Sequence, residues 1–244
     1  MGNAKLFGKA PVIVGVLRAL SIRDATRAQE QGADAIELRI DFLNEEDRNI
    51  EKLKEFASQL ESPVIITNRR KEEGGSFRGT EEERIALLSS ILDAVKVDAV
   101  DIEFFSSDEV KTKIIEKAKS LRVPIIFSFH DFKGMPHRSE LVKIIARMYK
   151  EAGGSIAKIA VTPKTFGDAL LLLELTYKLT RGGKLVATIG MGPVGRHLRV
   201  IAPLYGSVLT YGFIEGEEAV APGQFSVKEL KSMLDKLGVK VKAK

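Results

Sequence analysis

The feature that most constrains this chain is a rhythm. Short apolar, β-branched runs start near Val12, Ala35, Val64, Asp98, Pro124, Ile156, Leu185 and Ser207. Segments of helical character lie between them, most clearly Glu45–Leu60, Thr80–Val95, Ser107–Ser120, Ser139–Ala152 and Thr165–Thr180, with Ser226–Leu237 closing the series. In TEEERIALLSSILDAV, the apolar residues Ile85, Leu88, Ile91, Leu92 and Val95 recur at a helical period. Thr80 with Glu83, and Ser226 with Glu229, read as capping boxes at helix starts. Strands alternating with helices pair in parallel. Eight such units in 244 residues fit a (β/α)8 TIM barrel, which takes about 250 residues. An open doubly wound sheet is the competing architecture. No linker rich in Pro, Gly or Ser divides the chain, so residues 1–244 are expected to form one domain.

Composition removes several chemistries. There is no cysteine, which excludes disulfides, thiolate nucleophiles and Cys-ligated metals. The three histidines, His130, His137 and His197, are too few for a His-rich metal site, so no metal or organic cofactor is expected. The longest uncharged stretch, Val200–Ile214, is too short and too broken by Pro203 and glycines to span a bilayer. The N-terminal segment lacks a cleavage site, and Leu6 stands where a myristoylation signal needs Ser or Thr. These readings predict a soluble cytoplasmic protein. The net charge of +5 permits nucleic-acid binding, but the basic residues are interleaved with 33 acids. That pattern favours a site for small anions, with no nucleic-acid or membrane partner.

In a barrel, strand residues alternate between the interior and the helix layer, and function belongs at the strands' C-terminal ends. In AIELRIDFL, Glu37, Arg39 and Asp41 share one face and Ile36, Leu38 and Ile40 the other. Three charges on a buried face are costly unless they pair or meet a polar ligand. Thr67 and Arg69 share a face at the end of the third strand, Asp101 and Glu103 on the fourth, and Ser128 and His130 on the fifth. Lys158 lies within Ile156, Ala157, Ile159, Ala160 and Val161, and lysine is almost never buried alone. A desolvated lysine near other cations is a free amine and a nucleophile toward ketones. Arg39 and Arg69 are the cations expected beside it. The seventh strand leads into Arg196 and Arg199, and the glycine-rich loop before Ser226 has the composition of a lid. Gly190, Gly192 and Gly195 spell G-x-G-x-x-G, but Pro193 sits inside the turn and no long helix follows. A dinucleotide site is therefore rejected.

The ordered set ELRID, TNRRKEEGG, SFHDF, AKIAVTP, MGPVGRHLR, YGSVLTYG and EAVAPGQFS resembles the type I 3-dehydroquinate dehydratase family, over about Pro11 to Leu230. The resemblance implies a (β/α)8 fold and conversion of 3-dehydroquinate to 3-dehydroshikimate and water in the shikimate pathway. It implies that Lys158 forms an imine with the substrate ketone, His130 moves protons and Glu73 orients His130. It further implies that Arg199 binds the substrate carboxylate, with Arg196 as rival. Glu37, Arg39 and Arg69 would contact the ring hydroxyls and imine region, and Gln224 would close over the substrate. Arg69 is preferred to Arg70 because it lies four residues before Glu73 and shares a face with Thr67. Two positions depart from the family pattern: Leu198 and Val220 stand where serines are usual, which leaves one lid hydrogen bond unaccounted for. Family members are often dimers, so a homodimer is the assembly implied. The competing readings are another Schiff-base barrel, such as a class I aldolase, and a basic nucleic-acid-binding module.

Overall fold

The computed structural model describes residue 7, residues 11–152 and residues 155–239. The readings of the N-terminal motif at Leu6 lie outside the described residues. Strand and helix alternate along the chain: β1 (Val12–Leu17), α1 (Ile22–Glu30), β2 (Ala35–Arg39), α2 (Ile50–Ser58), β3 (Val64–Thr67) and α3 (Glu81–Ala94) come first. Then follow β4 (Ala99–Glu103), α4 (Asp108–Leu121), β5 (Ile125–Asp131), α5 (Arg138–Ala152), β6 (Ile156–Val161) and α6 (Phe166–Arg181). The last are β7 (Val186–Gly190), the short α7 (Gly192–Gly195) and α8 (Leu198–Ile201), β8 (Leu209–Phe213) and α9 (Val227–Lys236).

The eight strands form one sheet in the order β7-β6-β5-β4-β3-β2-β1-β8, with every pair parallel. The ring closes between β7 and the entry to β8. There Val186 bridges Ser207, the Val208 N–H donates to the Val186 carbonyl at 2.8 Å, and the Thr188 N–H donates to Ser207 Oγ at 2.9 Å. A side-chain oxygen thus replaces a ladder carbonyl where the strands diverge. The fold is the expected (β/α)8 barrel, and the open doubly wound sheet is set aside.

Two apolar layers follow from the strand alternation. Ile13, Ile36, Leu38, Ile66, Val100, Ile102, Phe127 and Ile159 face the helices. Val12, Val14, Ala35, Ile65, Ala99, Ile126, Ile156 and Leu209 fill the barrel's interior at the strand starts. Farther along the same inward faces the residues become polar: Glu37, Thr67, Asp101, Ser128 and Lys158, all buried. The site therefore stands on an apolar floor and opens at the C-terminal ends of the strands, as barrels require.

Thr80, Thr165 and Ser226 each cap a helix with a reciprocal box, the Thr165 box using Asp168 rather than Glu. Two local readings change. The expected helix over Glu45–Leu60 breaks at Asn49, whose side chain caps α2 by accepting from the Glu51 and Lys52 N–H groups. Helix α1 was not among the clear helical segments, because Ala25 and Ala28 are its only buried residues and carry a weak apolar signal.

Candidate active site

Each strand end delivers its side chain inward because the preceding residues are locked into the ladder. Lys158 pairs in register with Ser128 on β5 and Ala187 on β7. Its Nζ donates to Asp101 Oδ2 at 3.0 Å, lies 3.8 Å from Glu37 Oε1, and sits over the Tyr211 ring, 4.1 Å from its centroid. Of the two cations expected beside Lys158, Arg69 is there, since it meets the same Asp101 Oδ2 at 2.9 Å, whereas Arg39 is not among its contacts. Arg39 is instead held by Asp41, with two bonds of 2.8 Å, because the chain turns tightly after β2 and folds Asp41 back onto it. Arg69 donates to Glu103 at 3.0 Å and Ser128 at 2.7 Å and meets Asp101 at 2.9 Å. Ser128 in turn donates to Asp101 Oδ1 at 2.6 Å. Glu37 accepts from Thr67 at 2.8 Å.

The charges in this network fix one another's protonation. Burial works against ionisation of Asp101, but Arg69 and then Lys158 outweigh it and hold the carboxyl well below the usual carboxylate range. Burial likewise opposes the charge on Arg69, and Asp101 and Glu103 more than restore it.

A second unit sits beside the network. After β3 the chain makes one tight turn, Lys71–Glu73, ended by Gly74 in the left-handed region at φ 82°. A Cβ on the next residue, Gly75, would lie 1.9 Å from the Arg69 carbonyl oxygen, so only glycine fits there. This turn brings Glu73 under β5, where its Oε2 accepts from the His130 backbone N–H at 3.0 Å and meets His130 Nδ1 at 2.9 Å. The other carboxylate oxygen, Oε1, is buried without a partner. Burial, then the nearby Glu103 charge, pushes the Glu73 carboxyl up to about 8. Burial, then Arg69 and Lys158, holds the His130 imidazole well below its usual range, so the ring is neutral.

Arg199 is different in kind. It reaches the barrel from α8, is only 1% exposed, and leaves Nε without a hydrogen-bond partner. Its one side-chain bond is a long one, 3.4 Å, to the Pro222 carbonyl, and among the described residues no carboxylate pairs with it. Burial, with Arg196 adding to it, lowers its guanidinium to about 10. Gln224, in the loop after β8, is buried and accepts from the Val220 N–H at 2.9 Å.

One cavity is lined by all eight predicted residues: Glu37, Arg39, Arg69, Glu73, His130, Lys158, Arg199 and Gln224. Arg196 is not in the lining and lies instead against the Phe225 ring. Val220 lines the cavity, so the family's usual serine position offers only a methyl surface there. Sequence reasoning assigns no role to several participants, Glu103 and Ser128 of the network among them. Asp101 had a signal, being inward on β4, but its partner was not legible. Asp41 had the same inward signal. Tyr211 had none, since an aromatic residue in a strand reads equally well as core. Among the described residues no group of three or more His, Asp or Glu is arranged to hold a metal ion.

Fold and site define a (β/α)8 barrel enzyme with a lysine and a His–Glu pair in one cavity and an uncompensated cation at its rim. The family model for type I 3-dehydroquinase matches residues 12–241. A 3-dehydroquinate dehydratase of Methanosarcina acetivorans is 41% identical over 234 residues, covering 94% of this chain and 96% of the relative. One of Methanothrix thermoacetophila is also 41% identical, over 95% of this chain and 94% of the relative. Among solved structures, the type I 3-dehydroquinate dehydratase of Clostridium difficile with covalently modified comenic acid superimposes with a TM-score of 0.84 at 31% identity. That match covers 96% of this chain and 95% of the other. The chain belongs to the type I 3-dehydroquinase family, as its motifs indicated, and the aldolase and nucleic-acid readings fall away.

Proposed function

We propose that this chain converts 3-dehydroquinate to 3-dehydroshikimate and water through a Schiff base on Lys158, as a single catalytic domain serving the shikimate pathway. The observation that carries the mechanism is that Lys158 and the His130–Glu73 pair line the same cavity. The lone pair on Nζ attacks the ketone carbon, and the carbinolamine loses water to give an iminium ion. A carbon–hydrogen bond beside a ketone is a weak acid; beside an iminium its electron pair can flow into nitrogen as an enamine. His130 takes that proton on Nε2, the nitrogen not held by Glu73. The enamine then expels the hydroxyl on the neighbouring carbon, and His130 returns the proton to it as water leaves. A second water hydrolyses the conjugated iminium and frees Lys158, so the net release is one water. Acid–base transfer of this kind contributes about 10²–10⁴-fold.

Arg199 binds the substrate carboxylate in this reading, because a buried guanidinium without an anion is an unmet demand. Arg39, Arg69 and Glu37 contact the ring hydroxyls and the imine region, and Gln224 covers them. No cofactor or metal takes part. Among the described residues no helix is long and apolar enough to cross a membrane. A cytoplasmic location and a homodimer are parts of the same proposal, with no nucleic-acid or membrane partner.

The test is incubation with 3-dehydroquinate, followed by enone absorbance, and then reduction with borohydride. Peptide mapping should place the added mass on the segment holding Lys158. Label on Lys164 or Lys184, or full activity after reduction with ligand present, would overturn the reading.

A further inference from the structure

Lys158 Nζ has three close neighbours: Asp101, Glu37 and the face of Tyr211. Asp101 accepts an N–H···O bond, whereas Glu37, at 3.8 Å, acts on the charge alone. An ammonium has three N–H donors, whereas an iminium ion has one, because carbon takes the place of the others. The Asp101 bond therefore survives imine formation only where the one remaining N–H keeps its aim. A ring face makes no such demand, since its quadrupole attracts a cation whatever its substituents. Lys158 and Tyr211 are both about 5% exposed, so water does not screen the contact. The Tyr211 hydroxyl is buried with no hydrogen-bond partner. Burial, then Glu37 and Asp101, keep it protonated, so the ring acts as a neutral aromatic face.

We infer that the ring face of Tyr211 is a further catalytic element of this site, stabilising the iminium nitrogen on Lys158 relative to the uncharged carbinolamine and enamine. The ring is also placed for this by the fold. Tyr211 is held in β8 by its pairing with Val14 of β1, and it belongs to the interior apolar cluster rather than to the helix layer. The inference rests on the Schiff-base reading above, and the experiment separates the two.

The measurement is the rate of borohydride trapping at saturating 3-dehydroquinate, alongside kcat and KM, for wild type, Tyr211→Leu and Tyr211→Phe. Loss of the ring should slow trapping roughly 30-fold, the effect of a desolvated cation–π contact, with kcat falling more than KM changes. The phenylalanine variant keeps the face and should recover most of the loss. Circular dichroism checks the fold, and Tyr211→Met replaces the leucine variant if that one does not fold. Trapping at the wild-type rate in the ringless variant would overturn the inference. So would an equal loss in the phenylalanine variant, because the effect would then belong to the hydroxyl. Wild-type enzyme that takes up no label would instead overturn the Schiff-base reading beneath it.

Discussion

The centre of the barrel and its rim handle charge in opposite ways. In the centre, Lys158, Arg69, Asp101, Glu103 and Ser128 already satisfy one another before any substrate arrives. At the rim, Arg199 is as deeply buried yet has no counter-ion among the described residues. A paired network is preorganised and orients the reacting groups at no further cost. An unpaired buried cation is a standing expense in stability that an anionic ligand relieves. In the proposed reaction the contrast divides the labour: the centre would do the chemistry and the rim would select and hold the anion.

The comparison can be broken most severely at its middle. Lys158→Ala should lose nearly all turnover and all borohydride label, read by enone absorbance and intact mass. His130→Ala should keep the label, since Lys158 alone forms the imine, while turnover drops by about 10²–10⁴-fold. Retained turnover in that variant would remove His130 from the proton path.

The next test sets the two regions directly against each other. Asp101→Asn leaves Arg69 and Lys158 short of a buried partner and should cost about 3–5 kcal/mol of folding stability, measured by urea unfolding. Arg199→Met removes a charge that has no partner, so stability should hold or rise. Its effect should fall on KM, raised roughly 10–100-fold by the lost charge-assisted bonds. If the arginine variant unfolds and the aspartate variant does not, the division between centre and rim is wrong.

The smallest effect concerns protons. In the free enzyme the Glu73 carboxyl titrates at about 8. Below that pH its O–H is directed at His130 Nδ1 and the remaining ring proton sits on Nε2, which then cannot act as a base. Above it, the ring donates from Nδ1 to the Glu73 carboxylate and Nε2 is free. The kcat/KM profile should therefore rise through a limb near pH 8, and Glu73→Gln should abolish that limb. Stability runs the other way for this group. Its folded pKa is raised, so its contribution is complete below about 4.5 and is lost as pH climbs through about 8.

What was legible in the sequence was what a period of two and a period of 3.6 can carry. The alternation of runs established the parallel pairing and, by its eight units, favoured the barrel, while closure of the ring was seen only in the structure. The alternation within each run established that Glu37, Arg39, Asp101, His130 and Lys158 face inward, and the place of Arg199 after β7 put it at the open end. Weakly apolar α1 escaped because two alanines make a faint stripe. What only the tertiary structure decided was who meets whom. Lys158 reaches Asp101 across an intervening strand and a separation of 57 residues, while Arg39 is taken by Asp41 only two residues away. Facing inward is a local property of a strand. Depth in the barrel is not, because it depends on how far each strand is staggered against the next around the closed ring, and that stagger is set by the packing of all eight strands at once.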